Sequence, residues 1–142
     1  MGIAIKQDGD GSMGLMGVDS GAGEFVTINV EYNAASVDKT SFVASRSYVV
    51  KSIIGRPTVI GSDGSAVTAI VKQAPSGTAI TSGTALHSST YNLKGTANTN
   101  QALTLSTTPT DLLIAAGSCI GVDFTGTLTA ATGVITITLC PC

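Results

Sequence analysis

A chain of 142 residues with formal net charge -2 and only 11% charged side chains carries no electrostatic footprint for nucleic acid. Hydrophobic residues reach 43%, which argues against a disordered chain, while aromatics stand at 4% and tryptophan is absent. The longest apolar run, Leu112-Leu113-Ile114-Ala115-Ala116, is far short of the ~20 residues that cross a bilayer as a helix.

Residues 1–23 stand apart. Gly2, Gly9, Gly11, Gly14, Gly17, Gly21 and Gly23 are spread among apolar residues, and glycine at that density weakens both helix and strand. The segment reads as an extended arm, 1–23, ahead of a folded domain, 24–142. Its candidate anchors are Ile3, Ile5, Met13, Leu15 and Met16, because a purely solvated arm has no use for such side chains. An arm of this kind orders against a partner. Asp8-Gly9-Asp10-Gly11-Ser12 opens like a calcium loop, but Met13 stands where that loop requires glycine, so a solvated turn is expected. The opening residues lack the apolar core of a secretion signal, and Lys6 occupies the place of the Ser or Thr in a myristoylation motif. The expectation is a chain made and used without crossing a membrane.

From Phe25 onward the period is two. Val26, Ile28, Val30 and Tyr32 alternate with Thr27, Asn29 and Glu31, as in a half-buried strand. A loop is expected over 33–40, then a β-rich run over 47–54 that Gly55-Arg56-Pro57 interrupts. Gly61-Ser62-Asp63-Gly64, lying between Val59-Ile60 and an apolar strand over 66–73, predicts a hairpin. Ala74-Pro75-Ser76-Gly77 predicts another turn, and 87–100 reads as a polar loop apart from Tyr91 and Leu93. Further strands are expected over 102–105, 119–124 and 134–140. In the last, Ile135, Ile137 and Leu139 face one way and Thr136 and Thr138 the other. Helix signals reduce to one turn over 110–116, with Thr110 as its cap. Seven or eight short strands at this spacing predict an all-β fold, an antiparallel β-sandwich of jelly-roll type, built as one domain. Its predicted core includes Val67, Val71, Ile120, Val122, Phe124, Ile135, Ile137 and Leu139.

Little in the chain suggests catalysis. His87, beside Ser88 and Ser89, has no orienting third group in view and reads as a surface-loop histidine. Asp123 alternates with Ile120, Val122 and Phe124, so it is expected to be exposed or at an interface, a lone carboxylate without a partner for acid–base work. Cys119, Cys140 and Cys142 are an odd set, read as free thiols, with a Cys119–Cys140 bridge open only if their strands pair. Zinc usually takes four ligands, and the single histidine is distant in sequence. The expectations are no enzyme, no metal and no cofactor. A receptor- or carbohydrate-binding module, such as a fibre or spike head, is the rival reading. Tyr32, Tyr48 and Tyr91 are its few aromatic faces for a sugar ring.

Four stretches resemble the small β-sandwich decoration (cement) proteins of tailed-bacteriophage heads. They are Ser47-Tyr48-Val49-Val50-Lys51-Ser52-Ile53-Ile54-Gly55-Arg56 and Ala66-Val67-Thr68-Ala69-Ile70-Val71-Lys72-Gln73-Ala74-Pro75-Ser76-Gly77-Thr78-Ala79-Ile80, with Leu93-Lys94-Gly95-Thr96-Ala97-Asn98-Thr99-Asn100-Gln101-Ala102-Leu103-Thr104-Leu105. The fourth comprises Ile114-Ala115-Ala116-Gly117 and Ile120-Gly121-Val122-Asp123-Phe124-Thr125-Gly126-Thr127-Leu128-Thr129. The glycine-rich arm and Cys140-Pro141-Cys142 depart from that pattern. The resemblance implies a structural virion protein without an active site. It would be made in the host cytoplasm and placed on the outer face of the capsid. There, as a homotrimer, it would bridge neighbouring subunits of the major capsid protein.

Overall fold

The structure, a computed structural model, describes residues 24–142. Among these residues ten strands form two antiparallel sheets packed face to face, the sandwich that the period-two patterning predicts. In chain order they are β1 (Val26–Tyr32), β2 (Lys39–Val43), β3 (Tyr48–Val59), β4 (Thr68–Ala74), β5 (Thr84–Ala85), β6 (Tyr91–Asn92), β7 (Gln101–Ala102), β8 (Leu113–Ile114), β9 (Cys119–Thr125) and β10 (Thr132–Pro141). The first sheet runs β2-β9-β4-β5, with β6 also on β4. The second runs β1-β10-β3-β7, with β8 also on β3.

Strand β10 shows how the pattern becomes structure. Ile135, Ile137 and Leu139 are fully buried, while Thr136 and Thr138 between them are half-buried on the outer face. Their partners across the ladder, Val30 and Ile28 on β1, and Ile53 and Val50 on β3, turn the same way. Val67, Ala69, Val71, Ile120 and Val122 supply the facing layer. Phe124, expected in the core, is only partly buried and packs against Tyr32 with ring centroids 6.1 Å apart.

Three local expectations are corrected. Gly55-Arg56-Pro57 does not interrupt the strand, because β3 continues to Val59. Proline is tolerated there because its missing N–H lies on the side away from β10, where Pro57 O accepts from Asn98 N–H, so no bond to β10 is lost. Nor does Asp63-Gly64 close a hairpin. The strands it joins, β3 and β4, belong to different sheets, and 60–67 crosses between them. Lys94 Nζ fixes this corner by donating to Asp63 O at 2.6 Å and Ser65 O at 3.0 Å, while Asp63 Oδ2 accepts from Ser65 N–H. The helical turn is a 3-10 turn at Pro109–Leu112, and Thr108 rather than Thr110 stands at its N-cap.

The scarce aromatics bridge the layers. Tyr91, from the first sheet, lies over Gly55 of the second, where the space of a Cβ is already taken by its ring. Tyr32 covers Gly133, its register partner, in the same manner. The two phenols meet at 2.7 Å with rings edge to face, and burial pushes the pKa of each up, so both stay neutral. Tyr91→Phe leaves a buried hydroxyl unpaired and should cost about 1–3 kcal/mol. In urea unfolding, the double variant Tyr32→Phe/Tyr91→Phe should lose less than the sum of the two single losses.

Candidate interaction surface

The polar groups that could have carried chemistry are engaged in holding the fold. His87 is buried at 5% exposure rather than lying on a surface loop. Its Nε2 accepts from the Val71 N–H of β4 at 2.9 Å, and its Nδ1–H donates to Ser89 O, which assigns the neutral Nδ1–H tautomer. Asp123 is half-buried on the outer face of the first sheet and pairs with Lys72 Nζ at 2.7 Å. Lys72 also donates to Thr81 O, in the turn that lays Ile80 over Gly121. Asp111 accepts from Ser106 Oγ. Cys119 and Cys140 lie on β9 and β10, strands of different sheets, so the condition for their bridge fails.

One side of the sandwich is closed by hydrogen bonds. Leu86 N–H donates to Val71 O, and residues 86–88 run antiparallel to 104–106 through Ser88 N–H to Thr104 O and Ser106 N–H to Leu86 O. The chain just before that ladder joins the second sheet, where Leu103 N–H donates to Ile53 O and β7 pairs with β3. Gln101 imitates a strand residue with its side chain. Its Nε2 donates to Asn92 O at 2.7 Å and its Oε1 accepts from Asn92 N–H at 3.2 Å, tying β7 of one sheet to β6 of the other. At one end of the sandwich Gln73 Nε2 donates to Leu113 O at 3.0 Å in the same spirit. The His87, Gln101 and Gln73 stitches have no sequence signal, because a glutamine or histidine that bonds a distant backbone group looks in sequence like any solvated one.

The opposite side is open. There β1 and β2 are edge strands, paired only to β10 and β9 among the described residues. The direction of the β1 peptides follows from the ladder. Ile53 O faces β7, so Ser52, Ile54 and Arg56 direct their peptides to β10, and β10 reaches them with Thr138, Thr136 and Val134. Ile135 and Ile137 therefore turn toward β1 and bond Val30 and Ile28, which leaves the N–H and C=O groups of Thr27, Asn29 and Glu31 pointing outward. Lys39 Nζ donates to Glu31 O at 2.8 Å from that outer side. Among the described residues the three most exposed large hydrophobic ones, Val37 at 70%, Val43 at 65% and Phe25 at 64%, all flank these two edges.

Two concave features among the described residues are shallow. A hollow of about 220 Å³ lies between Thr40, Val43, Cys119 and the turn at 74–78, and another of about 320 Å³ between Glu31, Asn33, Thr58 and Gly133. Neither gathers an acid, a base and a nucleophile. Tyr32, Tyr48 and Tyr91 are all buried, so none presents a face to a sugar. The arm anchors Ile3, Ile5, Met13, Leu15 and Met16, with the turn at Asp8 to Ser12, lie outside the described residues. Comparison with family models, with curated proteins and with solved structures found no match to this chain.

The stitch at His87 has a pH consequence. Burial holds the imidazole pKa below its ordinary value, with the Ser89 carbonyl opposing in part. The unfolded chain therefore binds a proton at higher pH than the folded one. The stability owed to this group is complete above about pH 6.5 and declines as pH falls toward the lowered folded value. Between about pH 7 and pH 5 the urea midpoint of the wild type should fall, and His87→Gln should flatten most of that slope. Equal slopes for the two proteins would show that the imidazole is not the group responsible.

Proposed function

We propose that this chain is a structural virion protein that decorates and cements the outer surface of a tailed-phage capsid. It acts as a homotrimer that bridges neighbouring major capsid subunits, and it performs no catalysis. The observation that carries this reading is the gathering of Val37, Val43 and Phe25 beside two open strand edges, on a sandwich whose histidine and Lys72–Asp123 pair are already spent on structure. A surface of that kind suits another protein better than a small molecule, since interface centres are depleted in charge and open edges accept further strands. The resemblance of 47–56, 66–80, 93–105 and 114–129 to phage decoration proteins supplies the kind of partner.

The physical role is a clamp. A protein that binds the assembled lattice but not loose subunits stabilises the lattice by mass action. Linking three copies makes the second and third contacts intramolecular, so weak individual contacts suffice. The arm supplies the shell contact in this reading, through Ile3, Ile5, Met13, Leu15 and Met16.

Polar substitution of those five residues together should abolish occupancy on purified heads while leaving the thermal midpoint of the sandwich unchanged. Full occupancy of the variant would remove the arm from the mechanism. Purified heads that lack the wild-type protein altogether would remove the capsid reading itself.

A further inference from the structure

We infer that the open side is a homotypic interface, in which β1 of one copy pairs antiparallel with β1 of a second copy about a two-fold axis at Asn29. The inference rests on reading this side as a protein-contact surface, needs no capsid, and, being two-fold, concerns a contact other than the three-fold one that closes the proposed trimer. The outward peptides of Thr27, Asn29 and Glu31 are spaced for that pairing. With the axis at Asn29, Asn29 faces its own copy, Thr27 faces Glu31, and Phe25 faces Asn33. Thr27, Asn29 and Glu31 then each exchange both backbone bonds with a partner, as an antiparallel ladder requires, while Asn33 keeps its own turn with Ser36.

The flanking side chains match under the same operation. Phe25 and Val43 stand at one end of the open side and Val37, in the loop between β1 and β2, at the other. A two-fold brings the apolar end of each copy to the apolar loop of its partner, and the same patch serves twice. No like charges oppose each other, since Glu31 faces Thr27, and Glu24 of one copy approaches the end of the edge that carries Lys39 of the other. Lys39 on Glu31 O is compatible with pairing, because a carbonyl oxygen has a second lone pair. Among the described residues the stitched side of the sandwich has no comparable free edge, so this is where a second copy can continue the second sheet.

The test combines sedimentation velocity with amide hydrogen exchange on the full chain across a concentration series. A mass rising with concentration as copies, or trimers, pair two by two should be accompanied by slowing of the Thr27, Asn29 and Glu31 amides by about tenfold or more, with neighbouring inward amides unchanged. Phe25→Lys/Val37→Lys, which alters exposed side chains only, should abolish both effects. Asn29→Pro, which removes the central outward donor, should do the same. A chain that remains monomeric at every concentration overturns the inference, and so does protection of these amides in a monomer, which would assign the edge to residues 1–23 of the same chain. A trimer in which the three amides still exchange fast also overturns it while leaving the trimer reading intact. Failure to bind heads bears on the capsid reading alone.

Discussion

Two antiparallel sheets stacked face to face have four edges to manage, and the way this chain manages them governs the rest of the structure. On one side the edges are joined by the 86–88 and 104–106 ladder, the His87 imidazole and the Gln101 amide. Ladder bonds between strands of different sheets are hard to align, because the sheets lie about 10 Å apart and twist. Side chains with both a donor and an acceptor, at adjustable reach, bridge that mismatch where the backbone alone cannot. The consequence is asymmetry. Once one side is stitched shut, the peptides of β1 that no described strand pairs point the other way.

The interior obeys a related constraint. With so few aromatics, the core is filled by Val, Ile, Leu and Ala, which pack well near the sheets but leave the midplane to be spanned. Tyr32 and Tyr91 span it as a pair, each over a glycine that makes room for its ring. Their hydroxyls are paired with each other, which matters because both side chains are buried and an unpaired buried phenol is costly. Large side chains, absent side chains and one hydrogen bond thus form a single unit, in which the glycines at 55 and 133 are as much a part of the packing as the rings.

How much of this was legible depends on whether the signal is local. Alternation in β1 and β10 was readable because burial on one face leaves a period of two in the sequence itself. Val67, Val71 and Ile120 were readable as core for the same reason. Asp63-Gly64 misled because a turn dipeptide reports a change of direction, not which sheet the next strand joins; the crossing is held by contacts from far along the chain, such as Lys94 on Asp63 O. Pro57 misled because the harm of a strand proline depends on which side its missing N–H would face, a property of register. His87 was misread because its partner, the Val71 N–H, is a backbone group that any residue would offer. The arm anchors lie outside the described residues, whereas the open side near Phe25, Val37 and Val43 emerged only from topology.

The outer face of the second sheet bears on why so few charges are tolerable. Across the strands its middle presents the rows Thr27–Thr138–Ser52 and Asn29–Thr136–Ile54, with Thr136 Oγ1 donating to Asn29 Oδ1 at 2.8 Å, and the charged Glu31 and Arg56 stand either side of Val134 in the next row. Hydroxyls and amides hydrate such a face without the desolvation cost that an ionised group would impose if another protein covered it. They also satisfy one another when water is removed, as Thr136 and Asn29 already do. A charged face would gain solubility and resist contact; a purely apolar one would associate without selection. The mixture at the middle of the face keeps it wettable while leaving burial inexpensive, and the open edge at its margin offers the directional bonds that such an uncharged middle lacks. Contact geometry on such a molecule is thereby set by backbone register more than by charge.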